Sequence, residues 1–531
     1  MFSKLKSSLF LQCLISISFY LISIAIVITD PEFQYRWIAF FLWLASVSII
    51  PIVILFKKNK KVPREKFSGT DIYILFFIFT VSLILNFSFL EKYPFVSIYD
   101  QVRDGGLNAA QIADGTIKNI FSYGRYASHG LIIPTITSFF YAIFGASVFT
   151  FRVPSALLMS FSTVVIYLIM KKYVSQASGF FSAIIFGTLP LVLYYSRTEV
   201  VVSFSTFLFT LIFLLISSFI KHRKYQIYIL GGLLLGFSSG FHTSIRTMAL
   251  ICMGLISLIT LYDFYKDRLL KKAILSLILL FVFFLVGFGP RILFTTPDIF
   301  LQTRSFVLNQ NPESKNKLRI SEILNNYSKS LLVYISEPTL STHYPDFKPV
   351  LSPLASIFFI LGIIFAFTKK NRLMKTTVFF ALIIPFSNSA ITDTINSDNR
   401  FGPLFVIASL LSGFGIASLS EYFKNTQIRI LTTFVILLIF IGQAVIFFDS
   451  NSASKNYSNI DYLSMQNINF IKKDPELAKL KKICIYSDVS FYDYSMLYHV
   501  QEQYQFFLPK KSFYIAHKKG VAPNELYLSG N

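Results

Sequence analysis

The sequence predicts an all-α polytopic membrane protein, and three observations predict it. Of 531 residues, 54% are hydrophobic and 14% charged, against about 25% charged in an ordinary soluble domain. The mean hydropathy is +0.59. Apolar runs of bilayer-crossing length, roughly 20 residues each, recur along most of the chain. Together they exclude a water-soluble enzyme, a disordered scaffold and a soluble nucleic-acid binder.

The first element is a basic start followed by a long apolar run, MFSKLKSSLFLQCLISISFYLISIAIVITD. It exceeds a signal-peptide core and lacks a small-x-small cleavage site, so it reads as an uncleaved span. Further spans are expected near 37–56, 71–90, 148–170, 178–195, 201–220, 225–242, 246–264, 271–291, 351–368, 375–391, 402–420 and 429–448. With the first near 9–29, that is about 13 helices. The chain carries 49 Lys plus Arg against 27 Asp plus Glu, a net +22. Basic residues resist translocation and mark cytoplasmic loops. Starting from a cytoplasmic N-terminus, alternate loops are indeed basic: KKNKKVPREK at 57–66, KK at 171–172, KHRK at 221–224, KDRLLKK at 266–272, KKNRLMK at 369–375 and KNTQIR at 424–429.

One apolar segment, HGLIIPTITSFFYAIFG at 129–145, is short and holds Pro134. Counting it as a span would move every later basic loop outside, so an interfacial or re-entrant helix against the outer leaflet is expected. The outer face then holds a first loop at 91–147, a loop at 292–350, the turn TDTINSDNR at 392–400 and the C-terminal segment 451–531. Within the last, KKICIYSDVS at 481–490 resembles a strand and DYSMLYHVQEQY at 493–504 a helix, which predicts a small α/β appendage. The three cysteines, Cys13, Cys252 and Cys484, are too far apart to suggest a disulfide framework or a metal cluster. The chain contains no internal repeat, which weakens a repeat-built transporter.

Ionisable side chains at the outer ends of spans are costly unless hydrated, paired or functional. The first loop contains Asp100, Arg103, Asp104 and Asp114, with Gly105 and Gly106 permitting a turn directly after Asp104. LNAAQIADG reads as a helix after that turn, which places Asp104 near a helix start, where backbone N–H groups favour the ionised form. A plain N-cap is the alternative. Arg197, Arg246, Arg291 and Arg400 each stand at the outer end of a span. Arginine binds phosphate bidentately, although a single such arginine can simply snorkel to lipid headgroups. Four on a face where basic residues are depleted favour an anionic ligand. His129 and His242 face outward too, as hydrogen-bonding groups or ligands. No H-E-x-x-H, G-x-S-x-G, C-x-x-C or P-loop pattern occurs, which disfavours zinc proteases, serine hydrolases and ATP-driven pumps.

The stretch from the Asp104 loop through FGASVFTFRVPSALLMSFSTVVIYLIMKKYVSQASGFFSAIIFGTLPLVLYYSR resembles the N-terminal half of GT-C superfamily membrane glycosyltransferases. It is most similar to the dolichyl-phosphate-mannose protein mannosyltransferases (family 39) and their aminoarabinose transferase relatives. The matching parts are the outer-loop Asp before a helix, the FG at Phe144–Gly145, the F-R-x-P-S-A span start from Phe151 to Ala156 and the Y-S-R from Tyr195 to Arg197. The order and spacing of these parts carry the resemblance, which weakens towards residue 450.

The resemblance implies a GT-C-like catalytic domain over 71–450, preceded by two additional helices within 1–70 and followed by an extracytoplasmic domain over 451–531. It further implies an inverting transferase in the bacterial plasma membrane, with its C-terminus extracytoplasmic. Such an enzyme moves a hexose or pentose from a polyprenyl-phosphate carrier to a lipid, glycan or protein acceptor. Asp104 matches the catalytic base, and Arg103, Arg246, Arg291, Arg400, His242 and His129 are the candidates to hold substrate and phosphate. Arg197, Glu199 and Asp100 would support them. The chain departs from the family twice: Gly105 follows Asp104 where Asp-Glu is common, and only Glu199 follows the Y-S-R motif closely. A divalent metal is the one cofactor this chemistry admits, and the second carboxylate it would need is not identified. The alternative from another class is a transporter or flippase for an anionic lipid-linked substrate, which requires polar residues along the spans to the cytoplasmic side. A third is an inactive scaffold of the same fold.

Overall fold

The computed structural model describes residues 7–56, 68–91, 101–123, 130–145, 147–198, 200–266, 269–296, 320–339, 348–390, 396, 400–423, 426–449, 468, 470–475, 482–487, 506, 508, 512–517 and 525–526. The chain opens with α1 (Ser7–Thr29), α2 (Arg36–Phe56) and α3 (Gly69–Phe87). A π-helical segment, Gln101–Leu107, runs into α4 (Asn108–Ala113), and α5 (Ile132–Phe144) precedes α6 (Val148–Tyr173). Next come α7 (Gln176–Thr188), α8 (Pro190–Tyr195), α9 (Val200–Lys221), α10 (Tyr225–Ser239), α11 (Thr243–Lys266) and α12 (Leu270–Phe288), the last extended by a 3-10 turn, Gly289–Phe294. After α13 (Ile320–Leu332) follow α14 (Pro353–Thr368), α15 (Arg372–Pro385), a π-helical turn Phe386–Ala390, α16 (Gly402–Ser420) and α17 (Thr426–Asp449).

The architecture is the all-α, multi-pass arrangement expected. Among the described residues, eight helices are long and apolar enough to cross a bilayer, and four shorter ones are apolar. Each apolar run read from the sequence holds a helix, with one difference. The run at 178–195 is two helices, α7 and α8, broken at Leu189 (φ −60°, ψ 127°) ahead of Pro190 at the first position of α8. Proline has no N–H to give and pushes its predecessor out of the α region. The 13 residues of α5 make about 20 Å of helix, short of a hydrocarbon core of about 30 Å. Local side chains define several helix starts: Ser68, Ser147, Ser175, Ser352 and Asn371 each accept a backbone N–H of the first turn.

Small residues let these helices approach closely, which is how helices associate where water supplies no drive. A Cβ at Gly232 or Gly236 of α10 would run into the main chain of α12 at Leu280 and Phe284, and Gly287 of α12 faces Leu233 in return. The most enclosed helix is α16, with 94% of its apolar window buried. Its Gly413 rests on Ser182 of α7 and its Gly415 on the Phe358 carbonyl of α14, while Gly362 of α14 meets Leu411. Between α3 and α6, Asn86 Nδ2 donates to Ser82 (3.2 Å) and Ser160 (3.0 Å), and Ser82 bonds Thr163 (3.0 Å).

The two ends of the bundle differ chemically. At one end, helix termini are joined by ion pairs: Lys171–Asp71 at 2.7 Å, Arg223–Asp263 at 2.9 Å and Lys369–Glu421 at 2.5 Å. The other end carries the Gln101–Leu107 segment and the arginines described below. In the C-terminal segment, β1 (Lys482–Ser487) lies between β2 (Ser512–His517), parallel from Lys482↔Ser512 to Ser487↔His517, and β3 (Glu525–Leu526), antiparallel. β1 falls on the expected strand. The helix expected at 493–504 lies outside the described residues.

Candidate active site at the arginine end

Asp104 and Arg103 lie in the π-helical Gln101–Leu107, which continues into α4 without a break. This corrects the expected turn after Asp104: Gly105 and Gly106 are helical, and Leu107, which leads into α4, lies in the αR region with no side-chain cap. A π turn holds one residue more than an α turn and is found frequently at functional sites. Gly106 is buried, and a Cβ there would stand 3.1 Å from Cε2 of Phe506. The side chains of Arg103 and Asp104, and the whole of Asp100, His129 and Glu199, lie outside the described residues.

The other charged candidates gather at helix C-termini, whose last carbonyls have no intrahelical donor. At the end of α10, Arg246 donates through Nε to the Ser239 carbonyl (2.9 Å) and through Nη2 to that of Phe241 (3.0 Å). Arg291 donates through Nε to the Phe288 carbonyl (2.8 Å) and through Nη2 to that of Phe237 (3.1 Å). At the end of α3, Arg197 reaches the carbonyls of Leu85 and Ser88, and Arg152 that of Leu90 at 2.8 Å. All four arginines are at most 2% exposed. A guanidinium removed from water needs partners of this kind, and a cation at a helix C-terminus also meets the negative end of the dipole.

Arg291 is the most enclosed of them. Its guanidinium lies over the rings of Trp43 (5.0 Å), Phe288 (5.2 Å), Phe241 (5.4 Å) and Phe237 (5.9 Å). Each such cation–π contact is worth about 2 kcal/mol when desolvated. Any side chain at Gly240 would overlap the guanidinium. Arg291 Nη1 is buried with no hydrogen-bond partner. Trp43 of α2 fixes one wall of this cage by donating Nε1–H to the Val286 carbonyl at 3.0 Å and stacking on Phe237. Tyr123 roofs Arg246 at 5.8 Å and bonds Thr295 at 2.9 Å, so the first loop lies over the ends of α11 and α12. His242 Nδ1 pairs with Ser244 Oγ at 2.9 Å beside Arg246.

Arg246, Arg291 and His242 are therefore brought together, and Arg197 stands with Arg152. Arg400 is held at the Phe386–Ala390 turn, its carbonyl accepting from Asn388 Nδ2 at 3.1 Å. Below the Arg291 cage, an apolar cavity of about 660 Å³ opens between α2, α9 and α10. It runs from Phe237 and Leu44 towards Ile227 and Ile54, and Ser48 and Ser218 are its polar lining side chains. From Ile227 to Phe237 the α-helical rise is about 15 Å. Among the described residues no three His, Cys, Asp or Glu side chains come together.

Sequence reasoning missed Arg152, Trp43, Tyr123 and Phe506. Arg152 carried a signal, a charge in the first turn of an apolar helix. The aromatic residues carried none, in a chain with 60 Phe and 29 Tyr.

The stretch that holds all four buried arginines also carries a family match. Residues 128–294 match the family of dolichyl-phosphate-mannose-protein mannosyltransferases. This bears out, over that stretch, the resemblance to protein mannosyltransferases carried by the F-R-x-P-S-A and Y-S-R motifs. No curated protein sequence matches the chain. Among solved structures, it is similar to ArnT from Cupriavidus metallidurans bound to undecaprenyl phosphate, with 12% identity, a TM-score of 0.48, and coverage of 83% of this chain and 76% of that one. It is also similar to the archaeal oligosaccharyltransferase AglB from Archaeoglobus fulgidus in complex with an inhibitory peptide and a dolichol-phosphate, with 11% identity and a TM-score of 0.42. There it covers 78% of its own length and 59% of the oligosaccharyltransferase's.

Proposed function

We propose that the protein is an inverting glycosyltransferase that takes a sugar from a polyprenyl-phosphate carrier and passes it to a lipid, glycan or protein acceptor. The arginine end faces away from the cytoplasm, as the basic loops at the other end support. The observation that carries the reading is the apolar cavity ending at Phe237, the ring on which Arg291 and Trp43 rest. An isoprenoid chain matches its lining, and a phosphate at its mouth would meet the positive potential of Arg291 and Arg246. A transporter would need polar groups along the same path, where two serines are the polar lining.

In the reaction, the acceptor hydroxyl or amine attacks the anomeric carbon, and the bond from that carbon to the carrier phosphate breaks. The acceptor proton passes to the Asp104 carboxylate. The departing phosphate keeps the bonding electrons, and the nearby guanidinium charge stabilises it. Radiolabelled sugar transfer from a polyprenyl-phosphate donor in purified membranes tests the reading. Asp104→Asn is expected to abolish transfer while the protein still inserts and keeps its detergent melting temperature. Full transfer by that variant rules out Asp104 as the base.

A further inference from the structure

The C-terminal segment reaches back into the Asp104 region through one side chain. Phe506 is 6% exposed, although it lies between 355 and 400 positions from the residues it touches. Its ring stacks on Tyr141 of α5, with centroids 6.1 Å apart and planes at 28°, and meets the edge of Phe151 in α6 at 5.8 Å. Its third neighbour is the π segment. A Cβ on Gly106 would stand 3.1, 3.2 and 3.3 Å from Cε2, Cζ and Cδ2 of the same ring. Phe506 thus fills the space a side chain at 106 would take, and it does so two residues after Asp104. Leu508, close by in sequence, is also buried.

A π turn is a sparsely populated backbone state that persists only where its surroundings hold it. Here one face of the turn lies against the C-terminal segment, and the support is an aromatic ring wedged between α5, α6 and the turn. Geometry at a reacting centre is sensitive to such support, and a misplacement of about 1 Å can cost on the order of a hundredfold in rate.

We infer that Phe506 is a positioning residue for the Asp104 turn, so that the C-terminal segment completes the active site. The inference rests on Asp104 acting as the base, and its test separates the two ideas. In the full-length protein, Phe506→Ala should lower kcat for sugar transfer on the order of tenfold with the donor KM within about twofold, since the donor cavity lies between α2, α9 and α10. Phe506→Leu should restore most of the rate. Independently of activity, Asp104→Cys in a Cys484→Ser background should react severalfold faster with a membrane-impermeant maleimide once Phe506→Ala is added. If the wild type transfers no sugar, the proposed function falls and the labelling experiment still decides the role of Phe506. Unchanged labelling overturns the inference in either case, and so does an unchanged kcat in an active enzyme.

Discussion

At the residue scale, four buried guanidiniums are held by main-chain carbonyls at and near helix ends. Some of the partners are remote in sequence: Arg291 bonds Phe237, and Arg197 bonds Leu85 and Ser88. The positions of Arg197, Arg246 and Arg291 at span ends were legible, because a charge interrupting an apolar run is visible in one dimension. The remote partners of Arg197 and Arg291 were not, since they lie 54 to 112 residues away and are main-chain atoms that leave no sequence mark. A lysine cannot replace this geometry, because a single ammonium cannot reach both carbonyls and spread over four rings. Arg291→Lys should therefore cost about 1.5–3 kcal/mol, the worth of a charged hydrogen bond, seen as a lowered melting temperature in detergent. A melting curve equal to the wild type's would show that the cage contributes nothing.

At the element scale, helix existence was readable and helix interruption only partly. Long apolar runs fix the spans, because a bilayer allows few alternatives to a satisfied backbone. Pro190 marks the break between α7 and α8, whereas the π turn at Gln101–Leu107 carries two glycines that read equally well as a loop. Glycines within the spans also divide by what they face. Gly236 of α10 lies against the Phe284 carbonyl, while a Cβ at Gly254 of α11 meets nothing within 4 Å. Gly236→Ala should push α10 and α12 apart and sharply reduce the yield of folded protein. Gly254→Ala should leave it intact or raise stability by up to about 1 kcal/mol, the helix-propensity difference. Size-exclusion profiles and melting curves of the two variants compare them directly, and equal behaviour would contradict the packing described.

At the scale of the whole molecule, the two N-terminal helices acquire a place. α2 contributes Trp43 to the Arg291 cage and Leu44, Pro51 and Ile54 to the cavity wall. The second helix thus borders the apolar cavity in a chain whose family match begins at residue 128. Filling that cavity tests its use. Leu211→Trp, on the α9 wall, should raise the donor KM on the order of tenfold while the acceptor KM stays unchanged, as expected when bulk displaces a chain from its slot. An unaltered donor KM in a folded Leu211→Trp protein would place the isoprenoid elsewhere.

The enclosure of α16 has a consequence for how the protein is made. Of the eight spanning helices it has the lowest hydropathy, 1.8, and the largest buried share, 94%. Its Ser409, Ser412, Gly413, Gly415 and Ser418 suit contact with other helices better than contact with lipid. A newly synthesised α16 therefore gains least from entering the bilayer alone and most from entering beside α7 and α14, which the ribosome has already delivered. Biogenesis is thus expected to hold the earlier helices near the translocon until α16 emerges, so that the bundle closes around its least lipid-soluble member late in synthesis.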